Sequence, residues 1–233
     1  MIIKKVLILG GSSDIGIELA NKFSDLNKYK LSIHYFSNSK IKKKINFKCN
    51  FIKCDLSTKN EKKIINKFEN NYDIIINLVG DINCKSFEKF SIDSIEKNLR
   101  TNSLMPFLIF RKSTSNMVKK KWGRIINSSS IGVKFGGGEQ TFEYSISKHL
   151  NEFIPSFYKK ISKYNIFYNV IKIGLTNTKI HNKVLSKNIL KRKKLVPMKK
   201  MAEPKDIANY IFFLISNKNQ FITNEVISIS GGE

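Results

Sequence analysis

Cysteine is scarce in this chain. Only Cys49, Cys54 and Cys84 are present, with no Cys-x-x-Cys spacing. An odd count without paired spacing excludes a disulfide framework, and three scattered histidines supply no zinc-ligand cluster. Long apolar runs are missing too: stretches such as Ile211–Ile215 fall far short of the about 20 residues a membrane span needs. The opening Met-Ile-Ile-Lys-Lys lacks the basic-then-apolar order of a signal peptide, so a cytoplasmic location is expected. Arginine is nearly absent, limited to Arg100, Arg111, Arg124 and Arg192. Base-edge and bidentate phosphate recognition favour the guanidinium fork, so a nucleic-acid partner is not expected despite a net charge of +24.

That charge comes from 42 Lys+Arg against 18 Asp+Glu and is almost all lysine. The accompanying wealth of Asn and Ile is the bias an AT-rich genome writes onto tolerant surface positions. A field this positive still attracts anionic substrates. With 233 residues, 41% hydrophobic and 11% aromatic, the chain has enough apolar side chain for one sizeable core, and residues 1–233 are expected to form a single domain.

No 20–50-residue repeat or low-complexity tail interrupts the chain, and strand-like and helix-like segments alternate throughout. Strands are expected over Ile2–Leu9, Leu31–Phe36, Phe47–Lys53, Asp73–Leu78, Arg124–Ser128, Ile166–Ile173 and Val226–Ile229. Helices are expected over Ile15–Leu26, Thr58–Phe68, Ser91–Arg100, Leu104–Lys120, Glu143–Ser162 and Pro204–Ser216. Seven strands with intervening helices predict an α/β fold, a Rossmann-type doubly wound parallel sheet.

The first strand runs into Gly10-Gly11-Ser12-Ser13-Asp14-Ile15-Gly16. Glycines here permit a tight turn and a close helix start, and free N–H groups at that helix end favour a pyrophosphate. On these residues alone a plain strand-to-helix turn stays open.

The stretch resembles the opening motif of the short-chain dehydrogenase/reductase family, Thr-Gly-x-x-x-Gly-x-Gly, with Leu9 replacing the threonine and Asp14 the middle glycine. A carboxylate beside a pyrophosphate is repulsive, so Asp14 is expected to face the protein. The resemblance implies cofactor contacts from Gly10, Ser12, Ser13, Ile15 and Gly16. It continues at Cys54-Asp55-Leu56, where Asp55 would meet the adenine ring, and at Asn77-Leu78-Val79-Gly80 in place of Asn-Asn-Ala-Gly, keeping Asn77 and Gly80. After the second strand, Tyr35-Phe36-Ser37-Asn38-Ser39-Lys40 has no acidic residue to hold a ribose 2′-hydroxyl. NADP(H) is therefore favoured, its 2′-phosphate resting on Ser37, Asn38 and Lys40, with NAD(H) left open.

Carbonyl reduction needs a proton donor, a group that orients the oxygen, and a hydride. Tyr144 and Lys148 are i and i+4 on an expected helix, where they share a face and the ammonium favours tyrosinate. Tyr168 and Lys172 match the same spacing, but on an expected strand, where they lie about 13 Å apart. Ser130 ends a run similar to the family's approach to its catalytic serine, 14 residues before Tyr144. The resemblance implies that Tyr144 exchanges the proton, Lys148 binds the nicotinamide ribose and tunes Tyr144, Ser130 holds the substrate oxygen, and Asn102 keeps a relay water.

The match extends to Gly174-Leu175-Thr176-Asn177-Thr178, where Ile173 stands for the family's proline and Thr178 would hold the carboxamide. The lost proline is expected to loosen this turn. Residues 179–200 correspond to the variable substrate lid and carry Lys179, His181, Lys183, Lys187, Lys191, Arg192, Lys193 and Lys194 without an acid. The lid suggests an anionic or carrier-linked substrate, with His181 open as a ligand, although lysines merely facing solvent fit the same pattern. Gly136–Gly138, with Phe135 and Phe142 as apolar contacts, are expected to form the other wall. The resemblance also implies a homodimer or homotetramer joined through Leu104–Lys120 and Glu143–Ser162. The expected activity is NAD(P)H-dependent interconversion of a ketone and a secondary alcohol, most like the 3-oxoacyl-carrier-protein reductase branch. A sugar or polyol dehydrogenase, and a dinucleotide-binding regulator without chemistry, stay open.

Overall fold

The computed structural model describes residues 2–69, 71–183 and 189–233. Seven parallel strands form one sheet: β1 (Lys4–Leu9), β2 (Tyr29–Tyr35), β3 (Asn50–Lys53), β4 (Ile74–Asn77), β5 (Gly123–Ser130), β6 (Ile166–Ile173) and β7 (Val226–Ile229). Their spatial order is β3-β2-β1-β4-β5-β6-β7, the doubly wound arrangement expected. The chain leaves β1 on one side to build β2 and β3, then returns to place β4 on the other. That reversal opens a crevice between the carboxyl ends of β1 and β4.

Near-continuous apolar runs are what a strand covered on both faces requires. In β1, Val6 and Ile8 face one layer while Leu7 and Leu9 face the other, all fully buried. The first layer comes from α1 (Asp14–Asn21), the short α2 (Ile41–Lys44) and, much later in the chain, α9 (Pro204–Ile215). The second comes from α3 (Glu61–Ile65), α4 (Ile92–Leu99), α5 (Met105–Lys120), α6 (Phe142–Leu150) and α7 (Ser156–Ile161). Ile64, Ile109, Phe110 and Tyr158 carry the apolar contacts of that layer. A last helix, α8 (Ile189–Leu195), lies in the lid and was not expected.

Two expected helices take a different course at prolines. Glu143–Ser162 is not one helix: α6 ends at Leu150 and α7 starts after Pro155. Proline has no N–H, so the Asn151 carbonyl, four residues earlier, loses its helical donor and accepts Asn127 Nδ2 at 3.3 Å instead. Between α4 and α5 the chain makes a π-helical turn over Arg100–Leu104. Pro106 there deprives the Asn102 carbonyl of its donor in the same way. The expected Thr58–Phe68 helix is likewise shortened to Glu61–Ile65, capped by Asn60.

At the opposite end of the sheet, buried Asp73 joins β4 to β1. Its carboxylate accepts the Lys5 N–H at 2.8 Å and Lys120 Nζ at 2.7 Å. Asp73→Ala strands the Lys5 N–H, and urea unfolding is expected to show a loss of about 1–3 kcal/mol with an unchanged m-value.

Candidate active site

A crevice of about 1560 Å³ opens over the carboxyl ends of β1, β4 and β5. Its first wall is the turn from β1 into α1. Gly10 has φ +69°, and a Cβ there would meet the Leu78 carbonyl carbon and oxygen at 2.8 Å. A Cβ on Gly16 would strike Gly11 backbone at 2.6–2.7 Å. Both positions need glycine for the chain's own close packing, but only Gly10 lines the crevice: Gly16, expected as a cofactor contact, is buried against Gly11 beneath it. Ser13, not Asp14, caps α1, its Oγ accepting the Gly16 N–H at 3.1 Å. Asp14 turns towards the protein as expected, its Oδ2 accepting the Lys179 N–H at 2.8 Å and tying the helix start to the base of the lid.

Buried His34 supports this turn, and its role left no signal in the sequence. Its Nδ1 accepts the Gly10 N–H at 3.2 Å, so the other ring nitrogen donates to the Cys54 carbonyl at 3.0 Å. Burial holds its pKa down, at about 4, so the imidazole stays neutral.

Gly10, Ser12, Ser13, Ile15, Ser37, Asn38, Lys40, Asp55 and Gly80 all line the crevice, and α2 adds Lys44, which the sequence reading missed. Asn38 Nδ2 donates to the Ser12 carbonyl at 3.3 Å, linking the end of β2 to the glycine turn. Asp55 accepts the Ser57 N–H at 2.8 Å. Asn77 lies beneath the crevice as a buried strut: its amide donates to Asn127 Oδ1 at 2.8 Å and the Asn102 carbonyl at 3.3 Å, and its oxygen accepts the Val79 N–H.

On the far side of β4, Ser130, Tyr144 and Lys148 converge. All three side chains line the crevice, Ser130 is close enough to lower the pKa of the Tyr144 phenol, and Lys148 Nζ lies 5.8 Å from the centre of that ring. Lys148 is buried and donates to the Val79 carbonyl at 2.7 Å, the Ser128 carbonyl at 3.0 Å and Ser128 Oγ at 3.1 Å. Desolvation pulls its pKa down to about 7. Desolvation also pushes the Tyr144 phenol up to about 12, partly opposed by Ser130. This is opposite to the acidification expected from the spacing, because burial shields the phenol from water.

Asn102 does not line the crevice. Its side chain accepts the Asp81 N–H at 2.8 Å and donates towards Asn98 Oδ1, Ser147 Oγ and the Asp81 carbonyl. Its carbonyl accepts Asn151 Nδ2 at 3.1 Å as well as Asn77.

Gly137, Gly138 and Phe135 form part of the opposite wall, whereas Phe142 turns away to pack edge-on against Phe87 and tilted against Phe90, at 4.9 and 5.5 Å between ring centres. The turn after β6 is not loose despite Ile173. Gly174 N–H donates to the Ile229 carbonyl at 2.9 Å, and the Ala202 N–H donates to the Leu175 carbonyl. Thr178 lines the crevice, and His181 beside it bonds the Thr176 carbonyl. From the lid, Lys179, Lys191 and Arg192 reach the crevice, while Lys187 lies outside the described residues. The lid's positive charge is partly answered: Arg192 pairs with the buried Glu233 carboxylate, which also lines the crevice.

The fold agrees with that of known proteins. A family model described as enoyl-(acyl carrier protein) reductase matches residues 10–233. The 3-oxoacyl-[acyl-carrier-protein] reductase of Aquifex aeolicus is 32% identical over 186 residues, covering 76% of this chain and 74% of that one. Among solved structures, ElxO with NADP bound is 25% identical with a TM-score of 0.81, covering 99% of this chain and 98% of that one. A 3-oxoacyl-[acyl-carrier protein] reductase from Brucella melitensis with bound NAD is 20% identical with a TM-score of 0.83, covering 98% and 90%.

The Gly16 contact gives a test of the glycine wall. Gly16→Ala must displace Gly11 backbone, and fluorescence titration is expected to show nicotinamide dinucleotide affinity falling about tenfold or more with the circular dichroism spectrum retained.

Proposed function

Because the chain belongs to the short-chain dehydrogenase/reductase family of oxidoreductases, we propose that it reduces the ketone of a 3-oxoacyl thioester to the secondary alcohol, using NADPH. The observation that carries this reading is the meeting of Tyr144, Ser130 and buried Lys148 in the same crevice as the glycine turn.

The crevice fits a dinucleotide. Gly10 lets the turn pack against the Leu78 backbone, Gly16 lets α1 start close to Gly11, and Ser12, Ser13 and Ile15 at the start of α1 line the same space. Ser37, Asn38, Lys40 and Lys44, without a carboxylate at the end of β2, suit a 2′-phosphate. Thr178 would hold the carboxamide, and Lys148 the nicotinamide ribose. When bound, the cofactor supplies the hydride.

The chain's own groups handle the oxygen and the proton. Ser130 and Tyr144 line the same part of the crevice, where both hydroxyls would donate to one substrate oxygen. As negative charge grows on that oxygen, the phenol gives up its proton. A phenol held at about 12 remains protonated at neutral pH and is thus a reservoir of that proton. Lys148 stabilises the resulting tyrosinate by charge. Asn102, braced by Asn98 and Ser147, keeps the relay side of the site in register. Lys134, Lys179 and Lys191 line the crevice and favour an anionic or carrier-linked acyl group, as the name of the Aquifex relative suggests. A homodimer or homotetramer is proposed with α5 in the interface, while the α6–α7 break leaves Phe153 and Phe157 exposed beside it. No described helix is long and apolar enough to cross a membrane.

The direct test is oxidation of NADPH by acetoacetyl-coenzyme A, followed by nicotinamide absorbance. Tyr144→Phe is expected to lower kcat about a hundredfold or more with NADPH affinity within about twofold. Retained function in that variant would instead favour a regulator without chemistry. A second test uses Lys148. With its pKa lowered to about 7, the ammonium is present below that pH and lost above it. NADPH affinity, measured by fluorescence titration between about pH 6 and 9, is expected to fall as pH rises through the Lys148 value, and Lys148→Met is expected to flatten that dependence.

A further inference from the structure

One buried ionisable group beside the site has no part in the chemistry above. Glu143 directly precedes Tyr144 on α6, and its side chain is 1% exposed. None of the ion pairs among the described residues includes it. A buried carboxylate without a cation is costly unless donors satisfy it. Here the donors come from two other elements: Ser94 Oγ in the first turn of α4 reaches Oε1, and Asn83 Nδ2 reaches Oε2 at 3.1 Å.

These contacts bear on a short segment of wall. Asp81 and Ile82 line the crevice on the Tyr144 side. Asp81 is fixed through its backbone, its N–H donating to Asn102 Oδ1 at 2.8 Å and its carbonyl accepting Asn102 and Asn98 amides at 3.0 and 3.3 Å. Asn83 is fixed through its side chain to Glu143. Ile82 is therefore strung between two anchors, one on the π-helical turn and one on α6. Lys85 adds an isolated parallel bridge to Thr141.

We propose that Glu143 is a positioning residue that clamps the wall formed by residues 81–83 against α6 and so sets the shape of the substrate side of the crevice. The proposal rests on the carbonyl-reduction reading for its consequence, though not for the clamp itself. The Tyr144 carbonyl is held independently, by Ser147 Oγ at 2.7 Å. Loss of the clamp therefore loosens the wall more than it moves the phenol, and its effect falls on KM rather than kcat.

The experiment combines steady-state kinetics on acetoacetyl-coenzyme A, NADPH titration and backbone hydrogen exchange over residues 81–89. Glu143→Ala is expected to raise KM for the ketone about tenfold, with kcat within about threefold and NADPH affinity within about twofold. Amide exchange over residues 81–89 is expected to quicken about tenfold or more. Glu143→Gln keeps an acceptor for Ser94, and its Nε2–H meets Asn83 once that amide turns to present Oδ1, so KM and exchange are expected to stay within about threefold of wild type. Asn83→Ala removes one anchor while leaving the carboxylate, with KM expected to rise about threefold. Unchanged exchange in Glu143→Ala overturns the clamp. So does a Gln variant as impaired as Ala, or a loss confined to kcat. Faster exchange with unchanged KM overturns the role in shaping the substrate side. If Glu143→Ala does not fold, unchanged KM and exchange in Asn83→Ala overturn the proposal. A wild-type protein that binds NADPH but reduces no ketone overturns the carbonyl-reduction reading, and hydrogen exchange then judges the clamp alone.

Discussion

Burying the Lys148 ammonium is the constraint around which this site is arranged. An ammonium taken out of water needs an acceptor for each of its three donors. They come from the end of β4, as the Val79 carbonyl, and from β5, as the carbonyl and hydroxyl of Ser128. Those strands are neighbours in the sheet, so the lysine ties their carboxyl ends together from above. Asn151, just past the end of α6, donates to the same Ser128 carbonyl at 3.0 Å and seats the helix on the strand. The position of Tyr144 follows, since it lies one turn earlier on α6.

Two prolines supply the acceptors that make this seating possible. Each removes a helical N–H and thereby frees the carbonyl of an asparagine four residues earlier, Asn102 in one case and Asn151 in the other. The freed carbonyls take side-chain amides: Asn77 and Asn151 donate to Asn102, and Asn127 donates to Asn151. The result is a buried asparagine lattice joining β4, β5, α6 and the π-helical turn. A residue type abundant in this chain, and easily dismissed as compositional bias, thus does structural work beneath the crevice.

Charge is distributed less simply than the net value suggests. Four of the acids are placed at joints: Asp73 between β1 and β4, Asp14 against the lid backbone, Glu233 against Arg192, and Glu143 between α6 and the substrate wall. The lysines are mostly on the surface, where the field they create is screened within about a Debye length of 8 Å at physiological salt. Only those that reach the crevice bear on what enters it.

The number of strands, their parallel pairing, the glycine turn and the Tyr144–Lys148 spacing were legible in the sequence. Each is a local pattern: apolar runs bounded by turns, glycines where a Cβ will not fit, and residues four apart on a helix. The same locality explains why Tyr168 and Lys172 could be set aside, since they lie on β6. The split of the expected Glu143–Ser162 helix was signalled by Pro155, but the partner that takes up the released Asn151 carbonyl, an amide of β5, was not. Tertiary structure alone decided that His34 braces the glycine turn, that Lys44 reaches the crevice, that Phe142 leaves it, and that the phenol of Tyr144 is raised rather than lowered. The physical reason is common to all four. Burial, a hydrogen-bond partner and a shift in acidity depend on atoms distant in the chain, and no spacing rule carries them.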